Sequence, residues 1–336
     1  MSSSRRRNGA SATSAETGKR GMSRIRVGVV GIGHLGNYHL QKYARIEDVE
    51  IVGASDSQTE RARKAADQFG CEALSDHRRL LGRVDAVSIA VPTGAHYAVA
   101  HDFLEAGVHV LLEKPITETL AQADELVALA EKQRLAFQIG FVERFNPAIV
   151  ALEGVMKKPV FIEAHRLHPF FERGTDVDVV LDLMVHDLDL ILHFVQSSVT
   201  DVAAVGVSVL SEKIDIANAR VTFADGCVAN LTASRVTAKT MQKIRFFETN
   251  GYHSADCAKR EVSSLRTRRS PDGKVEIVAN PLNIPKHDPL EEEIQAFVRA
   301  VKTGMPPPVT GEEGRQSLEV ALNIVDRIES ARRSLR

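Results

Sequence analysis

The chain has 336 residues, 43% hydrophobic and 26% charged, a profile of ordinary water-soluble proteins and a length for about two domains. Its formal net charge is −1, but Arg5, Arg6, Arg7, Lys19, Arg20 and Arg24 face only Glu16 near the N-terminus, a local +5 that leaves −6 on the remainder. The body therefore offers no overall basic bias for nucleic acid, and no run of about 18 apolar residues is present to span a membrane.

Residues 1–23 are rich in Ser, Arg, Gly and Ala without periodicity, which predicts a disordered tail. The arginines are not followed by the apolar stretch of a secretory signal. Three isolated cysteines, Cys71, Cys227 and Cys257, with no CxxC pair, argue against a disulfide framework and for a reducing cytoplasm. Nothing beside them suggests an activating base for a catalytic thiol.

From Ile25 the chain alternates short apolar runs with helical patterns. Strands are expected at Ile25–Val30, Glu50–Ala54, Ala86–Val91, Val108–Leu112 and Ala136–Gly140. Helices are expected at Leu35–Ala44, Glu60–Phe69, Ala95–Ala106 and Thr119–Lys132, the last capped by Thr117 or Thr119. Such alternation predicts a parallel sheet covered on both faces. Gly31, Gly33 and Gly36 form GxGxxG directly after the first strand and at the start of a helix. There the glycines allow a tight turn, close backbone approach to a pyrophosphate and close helix–strand packing. Asp56 follows Gly36 by twenty residues, at the end of the second strand, where a carboxylate accepts the ribose hydroxyls and repels a 2′-phosphate. NAD is the expected cofactor; Ser55, Ser57 and Arg61 leave room for NADP.

Strand Val108–Leu112 runs into "EKP", Glu113-Lys114-Pro115, and "AVPTGAH" follows the strand before it. Ligands of open α/β sheets sit at the carboxyl ends of the strands, so both segments lie on the cofactor side. The expected cofactor contacts are Gly31, Ile32, Gly33, His34, Leu35, Gly36, Asp56, Val91, Pro92, Thr93, His96, Glu113, Lys114 and Pro115.

The second half opens with an expected strand, Val160–Leu167, and then "DVVLDLMVHDLDLILHFV", Asp178 to Val195. As a helix this segment stacks Asp182 and His186 on one face, with His193 able to share it, amid Leu, Val, Ile and Met. A structural ion-paired histidine and a metal site of Asp182, His186 and His193 are the other readings; no metal is expected. From Thr200 the pattern is antiparallel, with "ADG" and "TNG" as hairpin turns, and helices Pro289–Lys302 and Glu312–Ser330 close the chain. The fold class is an α/β Rossmann domain followed by an α+β domain with a large, mostly antiparallel open sheet. The expected division is a tail at 1–23, a Rossmann domain at 24–145 and a second domain at 146–336, whose last helices can pack back on the first.

Together, "GVVGIGHLG", "VPTGAHY" and "LLEKPIT" resemble the Gfo/Idh/MocA family of NAD(P)-dependent sugar and cyclitol oxidoreductases, over essentially the whole chain after the tail. The resemblance implies that the EKP lysine, Lys114, enters the active site and that Asp182 and His186 form the family's D-x-x-x-H motif facing the nicotinamide. The reading favours His186 as base, Lys114 holding the substrate oxygen and Asp182 orienting the imidazole. It also implies a dimer or tetramer through the open sheet. "TDVDVVLDLMVH" replaces the family's glycine-rich "GGGxLLDxGxH", and with "FVERFNPA" it is most similar to the nucleotide-sugar branch. Arg144, Asn146, Arg166 and Arg173 are then the expected substrate contacts, the arginines because their forks suit a pyrophosphate. A UDP-N-acetylhexosamine oxidised at C3 is the expected substrate. A free sugar or inositol dehydrogenase and a non-catalytic NAD-binding regulator are the alternatives; the joint presence of Lys114, Asp182 and His186 argues against the regulator.

Overall fold

The structure, a computed structural model, describes residues 24–170 and 177–334; the expectations for the tail and for Arg173 fall outside them. The first sheet is built from β1 (Ile25–Val30), β2 (Val49–Ser55), β3 (Glu72–Leu74), β4 (Ala86–Ile89), β5 (His109–Glu113) and β6 (Phe137–Gly140). Every pairing in it is parallel, in the order β3-β2-β1-β4-β5-β6. The strands are apolar because both faces are covered, by α1 (His34–Tyr43), α2 (Thr59–Phe69), α3 (Thr93–Glu105) and α4 (Leu120–Gln133). Thr119 caps α4, its hydroxyl accepting from the Gln122 amide. The sequence reading named no strand at β3, a three-residue edge too short to show a period. The order in which strands are added reverses between β1 and β4, so a crevice opens where the turns after those strands part.

The second sheet contains β7 (Phe161–Leu167), β8 (Val199–Val207), β9 (Ile216–Phe223), β10 (Val228–Ser234), β11 (Met241–Glu248), β12 (Gly251–Asp256), β13 (Glu261–Arg269) and β14 (Val275–Ala279). Its order is β14-β13-β12-β11-β7-β10-β9-β8. Only β7 and β10 pair in parallel; the other pairings are antiparallel. Asp225-Gly226 turns β9 into β10, with Gly226 at φ +89°, and Thr249-Asn250 turns β11 into β12. In β7, Ile162, Ala164 and Arg166 are buried while Phe161, Glu163, His165 and Leu167 are half-buried. One face of the sheet is therefore covered and the other is open.

α5 (Pro147–Glu153) packs on β12 and β13 and α6 (Val185–Val195) on β7, while α7 (Pro289–Thr303) meets α1 and α8 (Gly311–Ser334) meets β6 and α4. Asp288 caps α7 ahead of Pro289, accepting from the Glu291 amide at 2.9 Å. Ile294, Phe297, Val298 and Ala300 of α7 share a core with Ile25, Val27, Leu40 and Tyr43. The Ile139 amide of β6 donates to the Val309 carbonyl at 3.1 Å. Both closing helices therefore touch the elements of the first sheet.

Candidate active site

The glycine-rich turn is shaped as its spacing requires. Gly31 has φ +88° and a Cβ there would overlap the Ala90 carbonyl; one at Gly36 would overlap the Gly31 carbonyl. Gly33 faces open space, with nothing within 4 Å of a Cβ position. Ile32 and Asp56 are buried against each other: the Ile32 amide donates to the Asp56 carboxylate at 2.7 Å and the Gln58 amide to its other oxygen at 2.7 Å. Asp56 therefore both shapes the turn and keeps unused lone pairs for further donors. His34 and Leu35 begin α1, stacking His34 edge-on against Tyr38 at 4.6 Å.

A cleft of about 200 Å³ opens at the carboxyl ends of β4 and β5. Leu35, Val91, Pro92, Thr93, His96, Glu113, Lys114 and Pro115 line it, joined from the second domain by Val177, Leu181 and Asp182. The Lys114–Pro115 peptide is cis. His96 is buried between the two loops, its Nδ1 2.8 Å from the Pro115 carbonyl and its Nε2 2.9 Å from that of Val91. A neutral ring donates to one of these at a time, and burial opposes the protonation that would serve both.

Lys114 crosses the cleft. Its Nζ donates to the Asp182 carbonyl at 2.8 Å and lies 3.4 Å from the Asp182 carboxylate. Asp182 thus engages Lys114, and no hydrogen bond joins it to His186 among the described residues. The expected helix begins with a π turn, Val180–Met184, before α6 proper, and Asp182 sits inside that wider turn, a frequent feature of functional sites. His186 packs edge-on to Phe141, with ring centroids 6.0 Å apart, and its Nδ1 is buried without a partner. Burial, then the charges of Lys114 and Arg166, hold its pKa well below the ordinary 6.5. His193 does not join this group; it lies near Glu153, at 3.7 Å.

The expected substrate residues are placed differently. Arg166 is buried and spent on two carboxylates: Nε and Nη2 donate to Asp187, the latter at 2.8 Å, and Nη1 donates to Glu143 at 2.9 Å. Arg144, also buried, pairs with Asp189 at 3.2 Å and with Glu313. Asn146 donates to Glu143 and to the Cys257 carbonyl while capping α5. These three brace the floor beneath α6, and the charge of the two arginines is already answered by carboxylates. The acids at Glu143, Asp187 and Asp189 were the overlooked signal, since a buried arginine needs partners. A larger cavity, about 800 Å³, is lined by Arg144, Glu153, His193, His287 and Arg299. It contains none of the cleft residues, and its Arg299 is paired with Glu292 at 2.6 Å.

Residues 25–141 match the family description "Oxidoreductase family, NAD-binding Rossmann fold", and residues 149–253 match the "GFO/IDH/MocA C-terminal domain". The chain is 39% identical over 305 residues to a UDP-N-acetylglucosamine 3-dehydrogenase of Acidithiobacillus ferrooxidans, covering 90% of this chain and 97% of that one. It is 27% identical over 313 residues to a myo-inositol 2-dehydrogenase of Thermotoga maritima, covering 88% and 93%. The solved structure of the Acidithiobacillus protein superposes with a TM-score of 0.84, covering 92% of this chain and 99% of that one. A scyllo-inositol dehydrogenase from Lactobacillus casei, 22% identical, shares the fold at a TM-score of 0.74.

Proposed function

The chain belongs to the Gfo/Idh/MocA family of oxidoreductases, and on that premise we propose that this dehydrogenase oxidises a UDP-N-acetylhexosamine, best UDP-N-acetylglucosamine at C3. The observation that carries this reading is the 39% identity, over nearly both full lengths, to a protein of that name. Its Rossmann domain binds NAD. The turn Gly31–Gly36 and Asp56 fit the pyrophosphate and adenosine ribose, because an open face at Gly33 and unused carboxylate lone pairs are what those groups need.

Bound NAD supplies the hydride acceptor for a carbinol C–H. Lys114, held as a cation donor by Asp182, meets the hydroxyl oxygen and steadies the negative charge that grows there as the C=O forms. His186 receives the hydroxyl proton. Its depressed pKa keeps it neutral and able to accept at neutral pH. Leu181, Val177 and Phe141 give this corner an apolar wall, which strengthens the charge interactions inside it. Neither Arg144 nor Arg166 has a role in phosphate binding in this scheme.

Residues 24–145 and 146–336 act as cofactor and substrate domains. The protein works in a reducing cytoplasm, consistent with three unpaired cysteines, and as a homodimer or homotetramer. Among the described residues no helix is long and apolar enough to cross a membrane.

The test is incubation with NAD and a panel of UDP-sugars, myo-inositol and glucose, with the ketone trapped by a glutamate-dependent aminotransferase and the product weighed. The expected result is a UDP-sugar with one hydroxyl replaced by an amine, or, with the aminotransferase left out, a UDP-sugar lighter by two hydrogens. Clean turnover of myo-inositol with no change in any UDP-sugar would move the enzyme to free polyols, as the Thermotoga relative's name suggests.

A further inference from the structure

Beside the cleft lies a buried polar cluster that the chemistry above does not use. His39 of α1, Glu113 at the end of β5 and Glu293 of α7 are all buried, and one donor or acceptor atom from each falls within 4.8 Å of the others. His39 Nε2 is 3.2 Å from Glu113 Oε1. His39 Nδ1, both carboxyl oxygens of Glu293 and the side-chain oxygen of Gln138 lack a hydrogen-bond partner among the described residues. Unpaired atoms on His39, Glu293 and the adjoining Gln138 are not a packing accident, because an unpaired buried polar atom costs about 1–3 kcal/mol. Two buried carboxyl groups this close do not both stay charged.

We propose that Glu293 is a positioning residue of the active site, a neutral carboxylic acid that shares its proton with Glu113 and His39 and so anchors the Glu113-Lys114-Pro115 turn to α1 and α7. The inference rests on the catalytic reading of Lys114. The groups facing Glu293 favour the neutral acid. From α1 come His39 and Tyr43, the latter bonded to Ser88 at 2.8 Å; from β5 comes Glu113, and from β6 Gln138, whose amide donates to the Glu293 backbone carbonyl. The nearest cation of α1, Lys42, is committed to Asp288 and Glu291 on the first turn of α7. Burial, then the charge of Glu113, push the Glu293 carboxyl well above its ordinary range. The device joins three elements at one point: the helix that opens at the pyrophosphate turn, the strand that delivers Lys114, and the helix that docks the second half of the chain.

Sign follows from the proton count. The folded protein keeps a proton on Glu293 that the unfolded chain loses near its ordinary carboxyl pKa, so stability falls as pH rises from there toward the folded value. Glu293→Gln retains a neutral hydrogen-bonding group and has no such dependence.

The experiment compares wild type, Glu293→Gln and Glu293→Leu, each with NAD bound. Infrared spectra at neutral pH should show a protonated-carboxyl band in wild type that Glu293→Gln lacks. The melting temperature of Glu293→Gln should gain on wild type between about pH 5 and about pH 8. Turnover of Glu293→Gln should stay within a few-fold of wild type, whereas Glu293→Leu should lose up to about 10²-fold in kcat, the scale for a catalytic group displaced by about 1 Å. Three results overturn the proposal: no Glu293-dependent protonated band, Glu293→Gln as damaged as Glu293→Leu, or a stoichiometric divalent metal in the purified enzyme that Glu293→Gln releases. The infrared and melting arms do not depend on the sugar, so a wrong substrate assignment leaves them intact.

Discussion

At the scale of single residues, the proposed scheme separates three roles that the sequence placed together. Lys114 is the cation, Asp182 its holder, and His186 a neutral imidazole on the apolar side. Lys114→Ala and His186→Asn should each lower kcat by about 10²-fold or more, the usual scale for a positioned proton-transfer group. NAD affinity, measured by fluorescence titration, should change little, because neither side chain lies at the glycine turn. The depressed His186 pKa also fixes a direction: the acid limb of kcat/KM should fall below pH 6.5, where a neutral base is lost only on further acidification. An acid limb above 6.5 would take the role of base away from His186. At the other end of the cofactor, Asp56 should favour NAD, since a 2′-phosphate would face its carboxylate. Tighter binding of NADP than of NAD, compared by equilibrium dialysis, would contradict that role. Asp56→Asn should narrow whatever gap exists.

At the scale of elements, legibility follows from how much each pattern depends on remote contacts. GxGxxG, Asp56 and EKP were readable because strand, turn and helix are consecutive in the chain, and the parallel sheet fixes where they end. The Asp182–His186 spacing was readable as a helix face but not as a π turn, which depends on how Val180–Met184 meets its neighbours. Strand β3 and the strands after Asn250 were too short or too polar to declare a period. Arg144 and Arg166 misled for a different reason: position near the catalytic helix is visible in sequence, whereas a buried carboxylate partner is supplied by tertiary structure. This gives a test. Arg166→Ala leaves Asp187 and Glu143 buried without their cation, and should cost about 3–5 kcal/mol of stability. It should appear as a large fall in melting temperature. A pyrophosphate clamp would instead show an unchanged melting temperature with weakened UDP-sugar affinity.

At the scale of the whole molecule, the question is what meets the open face of the second sheet. Phe246 points inward, edge-on to Phe194 of α6 at 5.0 Å, so Phe247 beside it points outward. Across the strands Phe247 faces Phe161 of β7 at 5.5 Å and Tyr252 of β12 at 5.2 Å, three half-buried aromatic rings in a row across central strands, beside the β11–β12 turn. Glu163 and Arg245 pair at 2.9 Å on the same strands. Rigid aromatic rings flanked by polar groups are the composition of an interface centre rather than of an ordinary surface. On a two-fold contact, each ring would meet its own symmetry copy or a near neighbour, so one change would be felt twice. Phe247→Asp should therefore release monomers, read as a halved or quartered mass by light scattering, while circular dichroism and NAD binding stay those of wild type. The inner face, carrying Ile162, Ala164 and Phe246, does not contain the substituted side chain, which is why the fold should survive. A variant of unchanged mass would show that the aromatic row is not the contact. A wild type that is itself monomeric would leave the open sheet without a copy to cover it, and the proposed assembly would be wrong.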